Sequence, residues 1–237
     1  MTLDLWGRIY LDHWRGDPHP HELIRDDGKT HTIPSAADYF VAPRSAGEQA
    51  ALETLTGRVL DLGCGVGSYT RYLEERGLSV TAVDASEGAI TVCQERGCKD
   101  ARVADMDGLP SDLRPFDAII CMGNTLGIGR GPESLPERLA TLWHLTTPTG
   151  RLLAVTRDAL TTEDPDHLQY HARNRAAGRP AGLTRARLRY RGDLGDWWEL
   201  WMPTEPELQT AAQNAGWAVQ CISAEGSSWL YEFTPTG

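Results

Sequence analysis

The sequence predicts an α/β fold, a three-layer sandwich on a mostly parallel sheet, and three observations predict it. Short apolar runs alternate with helical stretches from residue 57 to about 158. A glycine-rich turn, Gly63-Cys64-Gly65-Val66-Gly67, joins the first run to the first helical stretch. Acidic residues close the later runs, at Asp84 and Asp105. Strands alternating with helices imply parallel pairing through right-handed crossovers.

Taken in order, RVLDLG (58–63) reads as a buried strand, followed by a helix over 68–76 that Gly77 ends. LSVTAVD (78–84) is a second strand, and the helix over 87–96 ends at Gly97. ARVAD (101–105) is a short third strand and FDAIICMG (116–123) a fourth. In PERLATLWHLT (136–146), Leu139, Leu142 and Trp143 share a helical face, and RLLAVTRD (151–158) is a fifth strand. Then the rhythm changes. A helix is expected over 163–177, behind Asp164-Pro165, and TRARLRYRG and DWWELWMP form a hairpin around 193–195. A helix over 205–215 and two strands, WAVQCIS and SWLYEF, complete the chain. Residues 1–50 lack clear periodicity and are expected to form a helical lid on a main domain of 51–237, with 162–202 as a substrate-side insertion.

Composition narrows the function. With 237 residues the chain can bury a full core. A formal net charge of -10 argues against a nucleic-acid partner, because neutralising several phosphates needs a basic face, and favours a small-molecule substrate. No apolar run is long enough to span a membrane and no secretory leader is visible, so a cytoplasmic location is expected. The five cysteines form no CxxC pair, and no metal site is expected. The sequence does not set the oligomeric state.

The strongest signal is VLDLGCGVG (59–67). Gly63 and Gly65 sit where a strand turns into a helix and backbone must approach a ligand closely. Asp61, in an otherwise apolar strand, requires hydrogen bonds, and the N–H groups of the loop are the expected donors. Dinucleotide folds use a similar turn, but Ser68 replaces the third glycine of GxGxxG. A nucleotide-dependent oxidoreductase and a non-catalytic cofactor-binding module are the alternative readings. Asp84 can accept hydrogen bonds from both ribose hydroxyls of an adenosine, or cap the helix that begins near Ser86. Asp105 with Met106 makes a coherent adenine pocket, and Asp107 stands close enough to compete for that role.

LDLGCGVG, VTAVDAS, ARVADMDGLP and FDAIICMGNTLG, in that order, resemble the motifs of class I S-adenosylmethionine-dependent methyltransferases. The resemblance implies a Rossmann-like, seven-stranded sheet whose last strand inserts antiparallel between the fifth and sixth. It implies S-adenosyl-L-methionine as cofactor. Asp61, Gly63, Cys64 and Gly65 would border its methionine part, Asp84 and Ala85 its ribose, and Asp105, Met106 and Met122 the remaining pocket. Within that class, Cys121-Met122-Gly123-Asn124-Thr125 and Thr156-Arg157-Asp158 resemble the branch containing glycine N-methyltransferase. There the asparagine lies beside the transferable methyl and the arginine pairs with the substrate carboxylate, which makes Asn124 the catalytic candidate and Arg157 a substrate-binding one. The C-terminal third departs from that enzyme, so its substrate is not carried over. The acceptor is expected to be a nitrogen or oxygen of a small molecule.

Four further residues have two readings each. Tyr39 or Arg44, just before the first helix of the main domain, would contact the cofactor carboxylate or be ordinary surface. His171, four residues after His167 on one helical face, would serve the substrate or be solvated. Trp197, with Trp198 and Trp201 beside it, would wall an aromatic pocket or pack in the core. Arg185, Arg187, Arg189 and Arg191, alternating with apolar residues, read as the outer face of a half-exposed strand.

Overall fold

A computed structural model describes residues 4–129 and 131–236. The elements in chain order are α1 (Leu5–Trp14), β1 (His21–Arg25), β2 (Thr30–Ile33), α2 (Ala46–Glu53), β3 (Arg58–Leu62), α3 (Ser68–Glu74), β4 (Ser79–Asp84) and α4 (Glu87–Glu95). They continue with β5 (Ala101–Val103), β6 (Phe116–Cys121), β7 (Ile128–Gly129), α5 (Ser134–His144), β8 (Thr146–Arg157) and α6 (Pro165–Ala176). The last are β9 (Leu183–Tyr190), β10 (Asp193–Leu194), β11 (Trp198–Trp201), α7 (Glu205–Asn214), β12 (Trp217–Glu225) and β13 (Ser228–Pro235).

The main sheet has seven strands in the order β12-β13-β8-β6-β3-β4-β5. β3, β4, β5, β6 and β8 are parallel, whereas β13 lies antiparallel between β8 and β12. The expected sheet is present, including its inserted last strand. Alternation along β3 shows why it is buried on both faces. Leu60 and Leu62 pack with Leu139 and Leu142 of α5 and with Ala211 and Ala212 of α7. Val59 packs on the other face with Leu52 of α2 and Tyr69 and Leu73 of α3. Each fully buried aliphatic side chain contributes about 1.5–3 kcal/mol.

A second, antiparallel sheet, β2-β1-β9-β11-β7 with β10 beside β9, stands over the carboxyl edge of the first. The 183–201 hairpin forms as expected, with Trp198 opposite Ala186 and Trp201 opposite Leu183. The helical reading of residues 1–50 needs correction, because β1 and β2 form a hairpin there. β1 pairs with β9 from His21 opposite Tyr190 to Arg25 opposite Ala186. Helix α1 lies between this sheet and α4, with Leu5, Ile9 and Tyr10 packed against Leu188 and Tyr190 on one side and Ala89 and Val92 on the other. Gly7 and Gly88 allow the close crossing: a Cβ on Gly88 would stand 2.5 Å from the Gly7 Cα.

Candidate active site

The glycine loop is tied to the neighbouring strand rather than to Asp61. Gly63 N and Cys64 N donate to Val83 O, and Gly65 N donates to Asp84 Oδ2 at 2.9 Å. Gly63 has φ +74°, and a Cβ there would meet Thr125 Cγ2 at 2.1 Å. Gly65 has φ +53° and only open space where its Cβ would stand, as a ligand cradle requires. Asp61 differs from expectation. It is buried, and it accepts from Thr70 Oγ1 of α3 at 2.6 Å instead of from the loop. Burial pushes its carboxyl up to about 7, against the lowering effect of that bond. Asp61 therefore braces the loop from beneath.

At the tip of β4, Asp84 Oδ1 accepts from Ser86 N at 2.9 Å, while Ser86 Oγ itself caps α4 through Ala89 N. The cap of α4 is therefore Ser86 and not Asp84, whose carboxylate shapes the turn at the tip of β4. Burial raises its pKa, opposed by the two backbone donors. Ala85 is exposed beside it. The strand expected over 101–105 stops pairing at Val103, and Ala104 N donating to Asp84 O carries Asp105 to the edge next to Asp84. Asp105 Oδ1 accepts only from Asp107 N, 2.8 Å away, within its own turn. Asp107 is engaged elsewhere. Arg138 of α5 donates to it through Nε at 3.0 Å and Nη2 at 3.1 Å, and through Nη1 to Leu126 O. Of the two acids, Asp105 is the one left for a ligand, with Met106 half-buried beside it.

Beyond β6, the buried Met122 leads into a turn in which Asn124 has φ +66°. Asn124 N donates to Val155 O, and Thr125 Oγ1 donates to Met122 O at 2.6 Å. Among the described residues, the buried Asn124 Oδ1 atom has no hydrogen-bond partner. That costs about 1–3 kcal/mol unless something supplies a donor. The Arg44 guanidinium lies 5.7 Å from the Tyr39 ring centroid, and its Nη1 would stand 3.8 Å from a Cβ on Gly123. Arg44 and Arg157 both act electrostatically on the Tyr39 hydroxyl, Arg44 the more strongly. Among the described residues, neither arginine is in an ion pair, and Asp158 instead caps the turn that follows it. Open space over Gly65, a spare carboxylate at Asp105, an orphaned amide oxygen and an unpaired arginine together suit a ligand with an adenosine and an amino-acid end.

The family described as a methyltransferase domain matches residues 59–150. A solved S-adenosylmethionine-dependent methyltransferase from Bacteroides fragilis, in complex with S-adenosyl-L-homocysteine, superposes with a TM-score of 0.84. It shares 25% identity over 100% of this chain and 98% of its own. Residues 59–150 are thus similar to a methyltransferase domain, and the whole chain shares the fold of that Bacteroides fragilis enzyme. Among curated relatives, an uncharacterised methyltransferase of Staphylococcus carnosus is 31% identical over 42% of this chain and 47% of its own length. A malonyl-[acyl-carrier protein] O-methyltransferase of Pectobacterium atrosepticum is 34% identical over 45% of this chain and 42% of its own. The chain thus spans about half or less of the curated relatives it matches.

The second sheet stands over that edge, and its two faces differ. Trp197 lies beneath the guanidinium groups of Arg185 and Arg187, 5.3 and 4.5 Å from its ring centroid, on the outward face. It is not brought to the cofactor edge. Trp198 lies on the other face, through its register with Ala186. His171 is buried rather than solvated, its Nδ1 unpartnered, and burial holds its pKa below the ordinary histidine value. A separate groove of about 390 Å³, lined by Leu55, Asp117, Arg151 and Glu232, opens at the opposite edge of the main sheet. Its charges are internally satisfied by the Arg151–Glu232 pair and by Arg58 N donating to Asp117. Of the residues sequence reasoning missed, Arg138 had a signal, since it shares the 135-138-139-142 stripe of α5 with three leucines. His21 and Thr70 had none beyond residue type.

Proposed function

We propose that this chain moves the methyl group of S-adenosylmethionine onto a nitrogen or oxygen of a small molecule carrying a carboxylate. One observation carries the reading: Asp84, Asp105, the open Gly65 cradle and the orphaned Asn124 amide belong to loops at one edge of one sheet. Asp84 would receive the ribose hydroxyls and Asp105 the adenine amine, with Met106 against the ring. Gly63, Cys64 and Gly65 would border the methionine portion, and Arg44 and Tyr39 its carboxylate. When bound, the cofactor supplies a methyl carbon already made electrophilic by its sulfonium. The remaining task of the chain is alignment, worth about 7–11 kcal/mol in well-oriented cases. Asn124 would orient the acceptor through its free oxygen, and Arg157 would hold the acceptor carboxylate in a two-pronged grip. The net charge of -10 supports a small acceptor over a nucleic acid.

The test is calorimetry with S-adenosylhomocysteine and NADH, side by side, on the parent chain and on Asp84→Ala. The expected result is binding of the first ligand only, weakened at least tenfold by the substitution. Equal binding by the variant would remove the ribose assignment, and preferential NADH binding would remove the reading itself.

A further inference from the structure

Resting on that reading, we infer that the acceptor is a hydroxyl-bearing aromatic acid, and that His21 in the roof sheet takes the hydroxyl proton. His21 opens β1, opposite Tyr190 and Ile33, and has no solvent exposure. Neither of its ring nitrogens has a hydrogen-bond partner. Trp198 Nε1, on the face of the sheet that carries Ala186, shares that condition. Buried nitrogens of this kind each cost about 1–3 kcal/mol, and an occupant with its own polar atoms would recover it.

The walls are aromatic. Trp6 lies edge-on to His21 at 5.8 Å between ring centroids, and Tyr39 lies edge-on to Trp6 at 5.5 Å. Tyr39 in turn stands within the electrostatic reach of Arg44 and Arg157. The ring stack thus leads from His21 to Tyr39, which Arg157, the acceptor's arginine, reaches electrostatically. Because His21 is covered, the acceptor gains it by displacing the edge of Trp6, which is itself partly exposed.

The chemistry of the two acceptor classes separates them. A neutral amine attacks with a lone pair it already has, whereas a phenolic hydroxyl, with a pKa near 10, needs a base. Burial lowers the His21 pKa, which keeps the imidazole neutral and able to accept. In the step, the hydroxyl proton passes to a ring nitrogen of His21 and the oxygen bonds to the methyl carbon. The C–S bonding pair stays on sulfur, and the imidazolium returns its proton to water.

The test uses the full chain with 4-hydroxyphenylacetate and 4-(aminomethyl)benzoate as probes. With S-adenosylmethionine present, methylation of the hydroxyl probe is expected, falling about 10²–10⁴-fold in His21→Gln. Added imidazole should restore at least tenfold of the loss in His21→Ala. Without turnover, the ring ¹⁵N resonances of His21 in the S-adenosylhomocysteine complex of the parent should shift on adding 4-hydroxyphenylacetate. Affinity for S-adenosylhomocysteine should be the same in His21→Gln and parent within twofold. Methylation of the amine probe alone, no methylation of the hydroxyl probe, full hydroxyl turnover in His21→Gln, or unmoved ring resonances would each overturn the inference. Failure of the parent to bind S-adenosylhomocysteine would overturn the methyltransferase reading instead.

Discussion

Arg138 holds Asp107 through two near-parallel hydrogen bonds, Nε to Oδ1 at 3.0 Å and Nη2 to Oδ2 at 3.1 Å, while its third nitrogen reaches Leu126 O. One buried side chain of α5 therefore fastens the loop after β5, which carries Asp105 and Met106, to the loop after β6, which carries Asn124.

Replacing Arg138 with Met should destabilise the fold and loosen both loops together. The guanidinium is 1% exposed and the Asp107 carboxylate 29% exposed, so water screens part of the uncompensated charge. Removal of one partner of a fully buried pair costs about 3–5 kcal/mol, and about 2–3 kcal/mol is expected here. Urea unfolding measures it. The Arg138→Met/Asp107→Leu double variant should recover part of the loss, and a purely additive result would show that the pair is not coupled.

Asp61 gives the fold a pH signature. Its folded-state carboxyl is pushed up to about 7, above the ordinary value near 4, so the native state binds the extra proton. Its stabilising contribution is fully present below about pH 4 and is lost as pH rises to about 7. Asp61→Asn keeps an acceptor for Thr70 but has nothing to titrate. The variant should gain about 2–4 kcal/mol relative to the parent between pH 4.5 and 8. Taking the difference between the two chains removes His21, His167 and His171, whose lowered pKa values act in the opposite direction. Parallel stability curves for the two proteins would contradict a raised Asp61.

Two glycines of one loop should fail in different ways when changed to Ala. At Gly65 the new methyl enters open space, so stability falls only by the left-handed backbone cost of about 1–2 kcal/mol. That space is where the cofactor would lie, so S-adenosylhomocysteine binding should drop at least a hundredfold. At Gly63 the methyl meets Thr125 at 2.1 Å, and Thr125 is anchored to Met122 O. Overpacking adds about 1–3 kcal/mol to the backbone cost. Melting temperature and calorimetry on both variants separate the two cases, and identical profiles would show that the cradle does not face the ligand.

The sequence made the main sheet legible because its cues are local: apolar runs, glycine stops and a helical period that changes at each strand. The acids at the strand tips were legible for the same reason. The roof was harder. β1 and β2 are five and four residues long with mixed burial, and β1 finds its partner in β9, more than 150 residues away. Nothing in HELIR or THTI marks a partner at that distance, so residues 1–50 read as helical. Thr70 could not be told from other helix-surface threonines, and the choice between Trp197 and Trp198 depended on a strand register that adjacent tryptophans do not reveal.

Asp4 should prove to be the tie that holds the N-terminal segment over the cofactor edge. Its Oδ1 accepts from Gly7 N at 2.8 Å and caps α1, while its Oδ2 accepts from Ser86 Oγ at 2.9 Å and Gly88 N at 3.1 Å. One carboxylate thereby joins the first turns of α1 and α4, two positive helix ends that both favour it. Loss of a cap of this kind costs about 1–2 kcal/mol. In Asp4→Ala the apolar contacts of Leu5 and Ile9 remain, so global unfolding should shift little. Local opening should rise instead, with amide exchange in α1 and the β1–β2 hairpin about tenfold faster, equivalent to about 1.4 kcal/mol. Since α1 also carries Trp6 and Tyr10 to the edge near Asp84, affinity for S-adenosylhomocysteine should weaken in step. Exchange mass spectrometry on parent and variant decides it: unchanged rates in α1 would mean that apolar packing alone holds the segment down.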